Sequence, residues 1–179
     1  MRNRHSVMRA VLLGTAVCAI GAAVAYAAPG TGAHFSSATG TVDTTTGDYV
    51  ATWTESGLGT SGGLIDYTLT ADATSTWQCF NGGSNQPQGA PQTGGSGTIS
   101  TNVAFQPHNG TVKNGSATLS PEVGTASCQG GGLKLCLTSV SYSNVQLFDT
   151  TDGIEVDLPS FSKVTIPPPT KHTSGVCTS

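Results

Sequence analysis

Apolar residues return at every second position through most of this chain, and its predicted elements follow from that period. In "YVATWTES", Tyr49, Ala51 and Trp53 alternate with Val50, Thr52 and Thr54; in "LIDYTLTADA", Ile65, Tyr67, Leu69 and Ala71 alternate with Asp66, Thr68, Thr70 and Asp72. The spacing recurs in "GTISTNVAF", with Ile99, Thr101, Val103 and Phe105 on one parity, and in "GIEVDL", with Ile154, Val156 and Leu158. Side chains of a strand point alternately to its two faces, so a period of two predicts strands with one face on a core and the other in water. No stretch shows a convincing helical period.

The strongest strand run, residues 131–153 ("GGLKLCLTSVSYSNVQLFDTTDG"), changes phase. Leu133, Leu135 and Leu137 share one parity whereas Val140 and Tyr142 share the other, so a bulge or turn near Ser139 or Asn144 is required to keep them all inside. "DTTDG" then supplies a turn. Further on, "FSKVTI" runs into Pro167, Pro168 and Pro169, which have no N–H to give to a sheet ladder and so end the strand. Glycine-rich segments at residues 82–97 and 128–132 read as loops. Short strands with regular turn signals predict an all-β fold: a single-domain, antiparallel, Ig-like β-sandwich over residues 41–168. A flexible segment at 28–40 precedes it, and a Pro-led tail at 169–179, tethered by Cys177, follows. Such a fold hosts many unrelated functions.

The first 27 residues stand apart. Arg2, Arg4 and Arg9, an apolar run over 10–23 and Ala25-Tyr26-Ala27 before Ala28 form the three-part layout of a secretory signal peptide, residues 1–27, cleaved after Ala27. The run is shorter than the roughly 20 residues a membrane-spanning helix needs. The chain is therefore expected to be secreted and to keep no membrane anchor. Cys18 leaves with the leader.

Every arginine leaves too, and four lysines (Lys113, Lys134, Lys163 and Lys171) then face ten acidic residues. Phosphate backbones are held by clustered Lys and Arg, so nucleic acid and anionic membrane are excluded as partners. Cys79, Cys128, Cys136 and Cys177 remain. In an exported chain this even count predicts two disulfides, with three connectivities open. There is no C-x-x-C pair and no histidine beside these cysteines, so no zinc site is expected.

Three constellations were tested for chemistry. "GTSGG" matches G-x-S-x-G around Ser61, but that motif needs a helix leaving the turn, and here "LIDYTLT" leaves as a strand; a glycine-rich hairpin loop is expected. His34, His108 and His172 are scattered and read as solvated or locally bonded. Asp149, Asp152, Glu155 and Asp157 lack the alternating ligand spacing of a calcium loop, and Glu155 and Asp157 fall on the polar parity of a strand. They read as a turn and a solvated strand face. No second acid cluster or aromatic cleft accompanies them, as glycoside hydrolysis would require. No catalytic, cofactor or metal site is therefore expected, and the chain is read as a non-enzyme.

The segment "WQCFNGGSNQPQG", residues 77–89, has two readings. Trp77 is a core residue, Cys79 a staple, and Asn81 onward turn chemistry. It also gathers Asn81, Asn85, Gln86, Gln88 and, beyond it, Gln92 on one loop rooted at Phe80. Amides beside a ring suit an uncharged polar ligand such as a sugar, which makes Phe80, Asn81, Asn85, Gln86 and Gln88 the candidate ligand loop.

With the leader, "WTESGLG" (53–59), "WQCFNGGSNQPQG" and "VSYSNVQLFDTTDG" (140–153) resemble a group of small secreted proteins of filamentous actinobacteria, mostly without an assigned function. The likeness spans most of the chain after the leader, and its motifs are structural. It implies a disulfide between Cys79, in the W-x-C strand, and Cys128, in the S-C-x-x-G turn, leaving Cys136 with Cys177. Cys128–Cys136 with Cys79–Cys177 stays open on the residues alone. The resemblance brings no activity, and no cofactor is implied. The expected function is that of a secreted, non-catalytic binding or protein-interaction module, for instance an adaptor subunit of an extracellular complex. A carbohydrate-binding module is the alternative and a secreted hydrolase a third, so the expected partner is a protein or an extracellular glycan.

Overall fold

The computed structural model describes residues 24–25, 32–59, 62–168 and 176–178. The strands are β1 (Val24–Ala25), β2 (His34–Val42), β3 (Tyr49–Ser56), β4 (Ile65–Asn81), β5 (Pro87–Phe105), β6 (Thr111–Leu119), β7 (Leu133–Asp149), β8 (Ile154–Asp157), β9 (Phe161–Thr165) and β10 (Cys177–Thr178). One sheet runs β1-β8-β7-β4-β5, with β9 and β10 also paired to β7, and the other runs β2-β3-β6. All pairings are antiparallel. The two sheets enclose one apolar core, so the chain is a disulfide-stapled antiparallel β-sandwich. No helix among the described residues is long and apolar enough to cross a membrane.

The core is built by the parities read from sequence. On β4, Ile65, Tyr67, Leu69, Ala71, Ala73 and Trp77 are buried and face Tyr49, Ala51 and Trp53 of β3 in the same cluster. The phase change expected in β7 near Ser139 or Asn144 is present, and the strand has a shift at each place. The β4–β7 register shifts between Thr76 and Trp77, opposite Ser139, and again between Thr70 and Asp72, opposite Ser143 and Gln146. Asn144 between them takes a left-handed φ of 49°. Leu137, Val140, Tyr142, Val145 and Leu147 all stay inside as a result. β9 ends at Thr165, just before the prolines.

Two boundaries are corrected. Strand β2 starts at His34, within the segment expected to be flexible. Its alternation was masked because the register with β3 shifts between Phe35 and Ser37 and the inward residues beyond, Ala38 and Gly40, are small. Residues 87–97, expected to be loop, are the first half of β5, paired to β4 through Cys79↔Gln88, Trp77↔Gln92 and Ala73↔Gly97. Glycine is needed there for close approach: a Cβ on Gly94 would fall 2.4 Å from Trp77 Cδ1.

Cys79 is bonded to Cys128 and Cys136 to Cys177, the pairing the resemblance implies. The first bond ties β4 to the β6–β7 connection; the second fixes β10 against β7. Of the expected leader, only Val24 and Ala25 are described, and they pair with Asp157 and Val156 of β8. The rest of the leader with Cys18 and the cleavage position, Ser61, and most of the tail with His172 lie outside the described residues.

Candidate functional site

The amide-rich segment closes the β4–β5 hairpin, and its side chains divide between structure and solvent. Asn81 Oδ1 accepts from the backbone N–H of Gly83 at 2.9 Å and Ser84 at 3.2 Å, so this amide shapes its own turn. Asn85 sits at φ 53°, the left-handed conformation Asn tolerates in turns. Gln92 donates to the Ser127 carbonyl at 2.9 Å and accepts from the Ser127 N–H at 3.2 Å, bracing the loop that carries Cys128. Phe80 is buried, so its ring is not presented to a ligand. Gln86 and Gln88 are exposed, as is Asn81.

The opposite end of the sandwich differs in character. There β5 is the margin of its sheet, and from Ile65↔Phe105 to Ala73↔Gly97 its register with β4 is unbroken. No charged residue occurs anywhere in β5. Beside this margin lies an open depression of about 420 Å³ lined by Asp66, Tyr67, Thr68, Asn102, Val103 and Thr150, among others. Thr68 Oγ1 donates to Asn102 Oδ1 at 2.7 Å across it.

One wall of the depression hangs on the β7–β8 turn. The Thr150 N–H and hydroxyl both donate to the Asp66 carbonyl, at 2.9 and 3.0 Å, and the Asp66 N–H donates to Thr151 Oγ1 at 2.9 Å. The turn in turn hangs on Asp149, whose Oδ1 accepts from the N–H groups of Thr151 at 2.7 Å and Asp152 at 3.1 Å.

Asp149 holds the turn expected here while itself fully buried. Glu155 and Asp157 are exposed as expected, and Asp152 is half-buried. Under the depression Asp149 meets Glu55, also 0% exposed, together with Tyr67 and Trp53. Five buried polar atoms here have no hydrogen-bond partner: Trp53 Nε1, Glu55 Oε1 and Oε2, Tyr67 OH and Asp149 Oδ2. Elsewhere in the core the polar tips are satisfied. Tyr49 donates to the Pro159 carbonyl at 2.9 Å, Tyr142 to that of Gly47 at 2.8 Å, and Trp77 to Ser75 Oγ at 2.8 Å.

Burial pushes the Glu55 carboxyl up to about 8, and the neighbouring Asp149 carboxylate adds to the shift while the Tyr67 hydroxyl opposes it. Burial and Asp149 also raise Asp152. The Tyr67 hydroxyl is raised by burial and then by Glu55. Both acids are shut off from bulk solvent, where two carboxylates side by side cannot both ionise cheaply, so Glu55 keeps its proton at neutral pH.

Strand parity was the signal available for both acids. Glu55 continues the inward series Tyr49, Ala51, Trp53, and Asp149 continues Val145, Leu147. Among the described residues no group of three or more His, Cys, Asp or Glu is arranged to hold a metal ion. His34 is exposed, its Nδ1 2.9 Å from the Gly32 carbonyl, and His108 is exposed in the bridge to Thr111. The chain matches no family model, no curated protein and no solved structure.

Proposed function

We propose that this chain is an exported, non-catalytic interaction module that binds an extended segment of a partner protein as an added strand along β5, as an adaptor subunit of an extracellular complex does. Two disulfides are in keeping with maturation in an oxidising compartment. The observation that carries the reading is the β5 margin between Gly97 and Phe105: unbroken in register, uncharged and without proline. An edge strand leaves a row of N–H and C=O groups unpaired, and proteins ordinarily blunt such edges with charge, proline or bulges. Other margins carry such devices: β6 has Lys113, β9 has Lys163 and β2 has its register shift. On β5, Pro87 and Pro91 protect only the lower half.

The flank also defines the partner's chemistry. Ile99, Val103 and Phe105 are only partly buried against the core, while Thr98, Ser100 and Asn102 face out. A segment with apolar residues at alternate positions would cover the first set and continue the second, which is the mode of recognition by β-strand addition.

Display of random peptides against the disulfide-bonded protein, followed by hydrogen exchange of the complex, tests this. The expected ligands are extended and alternately apolar, they protect the amides between Thr98 and Phe105, and Val103→Lys weakens them at least about tenfold. Protection confined to residues 81–88, or capture of polysaccharide lost on changing Gln86 and Gln88 to Ala, would overturn it in favour of a glycan-binding hairpin.

A further inference from the structure

The Glu55–Asp149 pair is closed to solvent yet coupled to the surface, and that combination has a use. We infer that the two carboxyls share one proton and that this proton latches the β7–β8 turn onto the end of β3, so that the depression at Asp66 and Thr150 keeps its shape only while the proton is held. The groups adjoin in turn. Tyr67 of β4 acts on Trp53 and Glu55 of β3, Glu55 meets Asp149, and Asp149 Oδ1 carries the Thr151 and Asp152 N–H groups. Thr150 and Thr151 then hold both backbone groups of Asp66.

With the proton present, one carboxyl donates to the other and the pair bears a single charge. Without it, two anions and the nearby Asp152 repel across a dehydrated core. Among the described residues no cation acts on Glu55: the groups that do are Tyr67, Asp149 and Asp152, and the strands on either side set Phe35 and Val112 opposite it. The least tethered member is the turn, which joins β7 to the four-residue strand β8. Rising pH therefore frees the turn, Asp66 loses its partners, and the wall of the depression opens. Its consequence for binding rests on the β5 reading above; the latch itself does not.

Hydrogen-exchange protection factors, in which the intrinsic pH dependence divides out, are to be measured for the Thr151, Asp152 and Gly153 amides from about pH 5 to about pH 9.5. Protection is expected to fall at least about tenfold across the raised titration of Glu55. Glu55→Gln, a neutral isostere that keeps an N–H facing Asp149, is expected to hold the protection flat, and Asp149→Asn, which keeps the Oδ1 acceptor, to do the same if Glu55→Gln fails to fold. A flat wild-type profile, or a titration that persists in these variants, would overturn the latch. A β5-selected peptide separates the two readings. If the turn titrates but peptide affinity does not, the placement of the ligand beside the depression fails while the latch stands; peptide bound on β5 with a flat turn profile removes the latch alone.

Discussion

Gly94 lies flat against the indole of Trp77: a Cβ there would fall 2.4 Å from Cδ1, 2.5 Å from Nε1 and 2.4 Å from Ser75 Oγ. The glycine is what lets β5 run past the ring while Trp77 Nε1 donates to Ser75 and to the Glu122 carbonyl. Gly94→Ala is expected to cost about 1–3 kcal/mol, the range for overpacking a tight site. A urea titration reads it as a lower midpoint at unchanged slope, whereas Gly89→Ala, with open space around its Cβ but φ at 75°, bears only the cost of a left-handed backbone.

Stability is expected to fall with alkali rather than acid through Glu55. Its folded carboxyl titrates at about 8 against an ordinary 4.5, so the folded state binds the proton more tightly than the unfolded chain. The contribution is full below the unfolded value and is lost as pH rises toward the folded one, at up to about 1.4 kcal/mol per pH unit. Thermal melts across this window should show the decline in wild type and a shallower profile in Glu55→Gln. A wild-type protein equally stable at both ends of the window would contradict it.

The two disulfides should differ in what depends on them. Each closes a long loop, with sequence separations of 49 and 41 residues, and the chain-entropy model assigns about 4 kcal/mol to loops of this length. Cys79→Ala with Cys128→Ala should lower the melting temperature and also loosen the β4–β5 hairpin, because the bond adjoins the brace between Gln92 and Ser127. Cys136→Ala with Cys177→Ala should release β10 and leave the hairpin amides protected. Exchange mapping of the two variants distinguishes these effects.

Within the hairpin tip, Asn81 and the exposed glutamines are expected to separate cleanly. Asn81→Ala removes the acceptor for two backbone N–H groups and should cost about 1 kcal/mol. Gln86→Ala and Gln88→Ala, at exposed positions, should change stability by less than about 0.5 kcal/mol. Chemical denaturation of the three variants measures the contrast.

The residues by themselves determined the two-faced strands, because parity is local: "LIDYTLTADA" places Tyr67 and Leu69 inward whatever lies across from them. A phase change in β7, the end of β9 before the prolines and the presence of two disulfides are also legible in the residues. Tertiary structure decided the rest. Residues 87–97 look like a loop because glycine and proline carry little strand propensity, and only pairing to β4 and contact with Trp77 make them strand. Glu55 and Asp149 each sit on an inward parity, but their meeting depends on how β3 of one sheet is set over β7 of the other. Whether β5 is central or marginal is likewise written in no single segment. Those outcomes depend on long-range pairing, in which residues far apart in sequence settle each other's surroundings, and the candidate site consists of such outcomes.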